Sequence, residues 1–148
     1  MSISTVKVVA FCCNWCSYAG ADLAGTSRLV YPAQIKVVRV PCSCRVDATF
    51  VLRAFARGAD GVIVCGCHLG DCHYATGNYH TQKRMAELFS LLEFMGMEKG
   101  RFHLEWISAA EGAKFSETMQ SFVAQVENLG KNTRFIVTPP TEAGEENG

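Results

Sequence analysis

Four short β-branched runs alternate with four helical patterns along this chain, and that alternation constrains the fold more than any other feature. The runs are Val6–Phe11, Ile35–Val40, Gly61–Val64 and Phe102–Ile107. Val and Ile fill them without a clean apolar–polar alternation, as in strands buried on both faces of a parallel sheet. Parallel neighbours need crossover connections, and helices supply them. Asp47 is placed to cap a helix carrying Phe50, Val51, Ala54 and Phe55, with Gly58 just past its end. The next helix sets Met85, Leu88, Phe89, Leu92 and Met95 on one face. The last sets Phe115, Met119, Phe122, Val123 and Val126 on one face, and Ser108 with Glu111 has the spacing of a capping box ahead of it. The first crossover, from Trp15 to about Tyr31, is the least regular and contains Gly20 and Gly25. This pattern predicts a single α/β domain: a four-stranded parallel sheet flanked by helices, in the flavodoxin-like order 2-1-3-4.

A chain of 148 residues is the size of one such domain, assigned here to residues 1–137, with 138–148 as a polar, acidic and disordered tail. Lys and Arg total 14, as do Asp and Glu, so there is no basic excess to attract nucleic acid or an anionic membrane. The N-terminal residues lead straight into a strand pattern, with no basic segment ahead of a long apolar one. No window approaches the roughly 18 apolar residues that span a bilayer. A cytoplasmic protein is expected.

Eight cysteines are many for such a chain, and in a reducing compartment that enrichment points to metal or redox chemistry rather than disulfides. Their positions say more than their number. Cys12, Cys13 and Cys16 follow the first run, Cys42 and Cys44 the second, and Cys65, Cys67 and Cys72 the third. In a parallel sheet all strand exits lie at one edge, where such folds bind ligands. Topology therefore gathers all eight sulfurs at one end. Cys13–Cys16 is a C-x₂-C pair and Cys67–Cys72 a C-x₄-C pair, a combination suited to one tetrahedral metal or to a [2Fe–2S] cluster with one pair per iron. Gly66 and Gly70 allow close backbone approach there.

Other residues at that end have plainer readings. Cys65 ends a buried run and reads as core packing, a role that Cys12 and Cys44 share in part. His68 and His73 flank the C-x₄-C loop as hydrogen-bond donors or solvent-facing residues, with ligation as the alternative. His80 and His103 read as structural, and Trp15 and Tyr18 as packing. The chain has no Gly-x-Gly-x-x-Gly, P-loop or nucleophile elbow, so the sulfurs are the chemistry on offer. From the residues alone three uses remain. These are an iron–sulfur electron carrier, a thiol–disulfide oxidoreductase using Cys13 and Cys16, and a zinc module.

Long stretches resemble the delta subunit of methyl-viologen-reducing hydrogenase. They are Ala10-Phe-Cys-Cys-Asn-Trp-Cys-Ser-Tyr-Ala-Gly-Ala-Asp-Leu-Ala-Gly, Val40-Pro-Cys-Ser-Cys-Arg-Val-Asp, Gly66-Cys-His-Leu-Gly-Asp-Cys-His-Tyr, Gly77-Asn-Tyr and Leu104-Glu-Trp-Ile-Ser-Ala-Ala-Glu-Gly. The resemblance runs from about Val6 to Val126. It implies a [2Fe–2S] subunit of methanogenic energy metabolism. Such a subunit passes electrons from a hydrogenase, or a formate dehydrogenase in its place, to the flavoprotein subunit of heterodisulfide reductase. The family's cysteine pattern falls on Cys13, Cys16, Cys42, Cys67 and Cys72, with Cys12 a frequent companion. That is one more than a cluster needs, and Cys42, unpaired in the sequence, is either the fourth ligand or a neighbouring thiol. Cys44 departs from the pattern, where glycine is usual, and Cys65 lies outside it.

Overall fold

The computed structural model describes residues 6–14, 34–68 and 77–132. The β-branched runs form strands β1 (Val8–Cys13), β2 (Ile35–Val40), β3 (Gly61–Gly66) and β4 (Phe102–Trp106). They make one sheet in the order β2-β1-β3-β4, and every neighbouring pair is parallel. The order and direction expected from the sequence hold. The central strand β3 is buried at every residue, which is why its sequence lacks alternation.

Three helices among the described residues cover the sheet: α1 (Ala48–Ala56), α2 (Gly77–Phe94) and α3 (Gly112–Leu129). On one face Val51 and Phe55 of α1 and Met85, Leu88 and Leu92 of α2 pack with Phe11, Val62 and Val64. On the other, Phe115, Met119, Phe122 and Val126 of α3 pack with Val8, Ala10, Cys12, Ile63 and Cys65. Burial of each large side chain is worth about 1.5–3 kcal/mol. Asp47 caps α1 as expected, its Oδ1 accepting from the Thr49 amide at 3.2 Å. Gly58 takes φ of 109°, a left-handed conformation that lets the chain leave the helix. Gly61 lets α3 touch the sheet, since a Cβ there would lie 2.6 Å from Val126 Cγ2.

Four expectations need correction. β1 runs two residues further than Val6–Phe11 at its C-terminal end and β3 ends at Gly66 rather than Val64, so Cys12, Cys13 and Cys65 lie within strands, not beyond them. The ladder continues because Cys12 pairs with both Arg39 and Cys65, whichever residue types occupy the strand ends. β4 stops at Trp106, one residue before the expected end, where its register with β3 also stops. Ser108 does not cap α3, which starts at Gly112; Glu111 instead turns its carboxylate back onto the Ser108 amide at 2.8 Å. Phe50 and Met95, expected on buried faces, are nearly half exposed. Phe89 lies at the sheet margin against Phe102, with ring centroids 4.6 Å apart. The narrow stripe Met85, Leu88 and Leu92 of α2 is the part of this face that is fully buried. The irregular first crossover and the acidic tail lie outside the described residues.

The sheet edge opposite the strand exits is tied by polar groups. Asp60, fully buried, accepts from the Lys7 amide at 2.8 Å and the Asn132 amide at 2.6 Å. Arg101, also buried, pairs with Glu98 and donates to the carbonyls of Asp60, Leu129 and Gly130, closing the C-terminus of α3. This end is structural, which leaves the strand exits for chemistry. No described helix is long and apolar enough to cross a membrane.

Candidate metal centre

Side chains alternate across a strand, so adjacent cysteines in β1 face opposite ways. Cys12 shares its face with Val8 and Ala10 and enters the core under α3. Cys13 therefore points to the other face, and its Sγ lies 3.6 Å from Sγ of Cys67, just past β3. Both side chains are about 1 % exposed. The separation far exceeds a disulfide bond of about 2.05 Å. A tetrahedral ion with metal–sulfur bonds of about 2.3 Å holds its ligand sulfurs about 3.8 Å apart. The pair thus already has the spacing of two thiolates on one metal. One comes from the C-x₂-C motif and the other from the C-x₄-C motif, joined across neighbouring strands. Their partners, Cys16 and Cys72, lie outside the described residues, as do Trp15, Tyr18, Gly70 and His73.

Cys42 is buried at the same end, at 2 % exposure, and opens the 3₁₀ turn Ser43–Arg45. Among the described residues no three His, Cys, Asp or Glu side chains are arranged to hold one ion. The Cys42 turn is held firmly. Thr81 Oγ1 donates to the Gly77 carbonyl at 3.1 Å, so its contact with Ser43 Oγ at 2.8 Å must be donated by Ser43. This buried link joins the Cys42 turn to the start of α2. Gly66 makes room for it, since a Cβ would come within 2.8 Å of Ser43 Oγ and 3.0 Å of the Trp106 ring. Arg84 adds a 2.6 Å bond to the Cys44 carbonyl, and Cys44 itself is half-buried.

The remaining groups are sorted by their partners. Cys65 faces Cys12 in register, and the hydrogen bond between them, with burial second, pushes its thiol well above the ordinary range. Such a thiol stays protonated and is a poor ligand or nucleophile. The core reading of Cys65 and Cys12 holds. His103 is structural as expected, bonded to Glu105 at 2.9 Å and stacked on Phe122. His80 lies exposed on α2. His68 is different from both. Its Nε2 lies 2.6 Å from Glu111 Oε1, the same oxygen that accepts from Ser108 N. The His68 bond first, and the Ser108 amide second, hold the Glu111 carboxyl down at about 2. An ionised carboxylate only accepts, so Nε2 carries the ring proton. The Ser108–Glu111 spacing is visible in the sequence but suggests a helix cap, and Ser43 and Thr81 give no signal of their own.

A parallel sheet that brings two buried thiols within 3.6 Å of each other at its strand exits defines an α/β domain with a paired-cysteine site. This chain belongs to the methyl-viologen-reducing hydrogenase, delta subunit family, which matches residues 8–130. It is 54% identical over 124 residues to an iron-sulfur subunit of the F420-non-reducing hydrogenase of Archaeoglobus profundus, covering 84% of this chain and 90% of that protein. It is 50% identical over 127 residues to the vhc iron-sulfur subunit of the F420-non-reducing hydrogenase of Methanococcus voltae, covering 86% and 88%. It is also 50% identical over 123 residues to one subunit of the ferredoxin:CoB-CoM heterodisulfide reductase of Methanosarcina mazei. That match covers 83% of this chain but only 16% of the larger protein.

Proposed function

We propose that this protein is the electron-transfer subunit of an oxidoreductase complex and carries a [2Fe–2S] cluster. It relays electrons from a hydrogenase, or a formate dehydrogenase in its place, to the flavoprotein subunit of heterodisulfide reductase in methanogens. The observation that carries the reading is the 3.6 Å approach of Cys13 and Cys67 at the strand exits. It supports Cys13 and Cys67 as ligands of one iron, rather than one iron for each local motif. Cys16, Cys72 and Cys42 are then the candidates for the other iron. Such a cluster supplies reversible one-electron storage. The relatives' designation as iron–sulfur subunits favours iron over zinc. The match within a much longer heterodisulfide reductase chain supports that enzyme as the partner, because a domain fused to a protein in one organism has to sit beside it.

A thiol–disulfide oxidoreductase built on Cys13 and Cys16 is disfavoured by Cys13 itself. Its thiol lies within a strand at 1 % exposure, which disfavours it as the thiol that attacks a protein disulfide.

The test is iron and acid-labile sulfide per chain on anaerobically purified protein, with an EPR spectrum after reduction. About two of each and a rhombic signal of a reduced binuclear centre are expected. Zinc, or no metal with freely titrating thiols, would overturn the reading.

A further inference from the structure

The stretch from Trp106 to Gly112 belongs to the family resemblance, yet it contributes no sulfur. Its place in the fold suggests what it does. The β3–β4 register ends at Gly66 and Trp106, and a final bond runs from Ile107 N to the Gly66 carbonyl at 2.8 Å. Cys67 lies one residue past that ladder, so the sheet no longer dictates where its backbone goes. The following residue, His68, is caught from the side by Glu111.

Glu111 is well prepared for this. Its amide donates to the Ser108 carbonyl at 3.1 Å and its Oε1 accepts from Ser108 N at 2.8 Å, so the side chain is folded back on its own turn. Its carbonyl accepts from Phe115 N at 3.0 Å in the first turn of α3, and Phe115 is fully buried. The carboxylate is therefore held to its own turn, at the start of α3, before it meets His68. An acceptor immobilised in this way restrains its partner at little further entropic cost.

We propose that Glu111 is a positioning residue for the metal-binding loop: by clamping His68 onto the start of α3 it fixes Cys67 beside Cys13. The proposal rests on the reading of Cys67 as a metal ligand, and it needs no contact between Glu111 and the metal.

The experiment compares the purified full-length wild type with Glu111→Ala, His68→Ala, the double variant and Glu98→Ala, a control that breaks an ion pair at the opposite sheet edge. Two rates are read: alkylation of Cys67 by iodoacetamide, located by mass spectrometry, and anaerobic release of iron to a chelator. Loss of a supporting partner typically weakens a metal site about 10- to 100-fold. Both rates should rise by about that factor in either single variant, with the double variant no faster than the singles, because the two residues act through one bond. Glu111→Gln, which keeps an acceptor oxygen, should fall between. Glu98→Ala should lower the melting temperature and leave both rates unchanged. Wild-type rates in Glu111→Ala, or additive effects in the double variant, would overturn the clamp. Wild-type protein without iron would sink the cluster reading alone, since Cys67 labelling still decides this one.

Discussion

Cys12 and Cys65 stand opposite each other in the β1–β3 register with no exposed surface, while the neighbouring Cys13 turns to the other face and meets Cys67. One residue of spacing thus separates a core thiol from a proposed ligand thiol. Cys13→Ser and Cys67→Ser should each lose the bound iron. Cys12→Ala and Cys65→Ala should keep it and lose about 1–2 kcal/mol of stability through the small cavity left behind. Iron analysis and urea unfolding of the four variants check this. Iron loss in Cys65→Ala would show that the division by strand face is wrong.

Two glycines of β3 offer a matched comparison. At Gly66 a Cβ would meet Ser43 Oγ at 2.8 Å and displace the turn bearing Cys42, whereas at Gly61 it would meet Val126 Cγ2 at 2.6 Å. Each alanine variant should cost roughly 1–3 kcal/mol by overpacking. Gly66→Ala should also disturb the visible and EPR spectra of the centre, and Gly61→Ala should not. Unaltered spectra in Gly66→Ala would mean that the Cys42 turn is independent of the site.

The Glu111 carboxyl should titrate near pH 2, against an ordinary value of 4.5, because His68 and the Ser108 amide favour its charged form. A lowered folded-state value adds stability that is complete above about pH 4.5 and disappears as the pH falls toward 2. A carbon-13 titration of the glutamate carboxyls checks it. The Glu111 midpoint should move up toward 4.5 in His68→Ala. An unchanged midpoint would assign the shift to the backbone amide.

Asp60 should matter for the fold and not for the site. Asp60→Ala would leave the part-buried amide of Lys7 and the buried amide of Asn132 without their acceptor. At about 1–3 kcal/mol for each such group, the variant should lose roughly 2–5 kcal/mol in urea unfolding. Iron per chain should match that of the wild type; depletion in the folded variant would show coupling between the two sheet edges.

Much of the architecture was legible because its signals are local. The β-branched runs found their strands, Asp47 and Gly58 found the ends of α1, and the alternation of elements led to the order β2-β1-β3-β4. What failed was also local. Nothing in Phe11-Cys-Cys says that the ladder continues to Cys13, because backbone pairing is indifferent to side-chain chemistry there. Phe89 and Met95 fit the helical period, but how much of that face meets the sheet depends on the sheet's edge at β4.

For the candidate site, the sequence by itself determined the donor atoms on offer and their neighbourhood. Cysteines placed around three successive parallel strand ends must collect at one end of the sheet, wherever the helices lie. Only the tertiary structure decided which sulfurs meet. Cys13 and Cys67 are 54 positions apart, and their approach depends on β1 and β3 being neighbours in a particular register. A shift of one residue would exchange the faces of Cys12 and Cys13. The same holds for His68 and Glu111, which are 43 positions apart and joined only because β4 delivers the start of α3 beside the exit of β3. Spacing along a chain sets which residues are near in sequence; hydrogen-bond register and packing set which atoms touch.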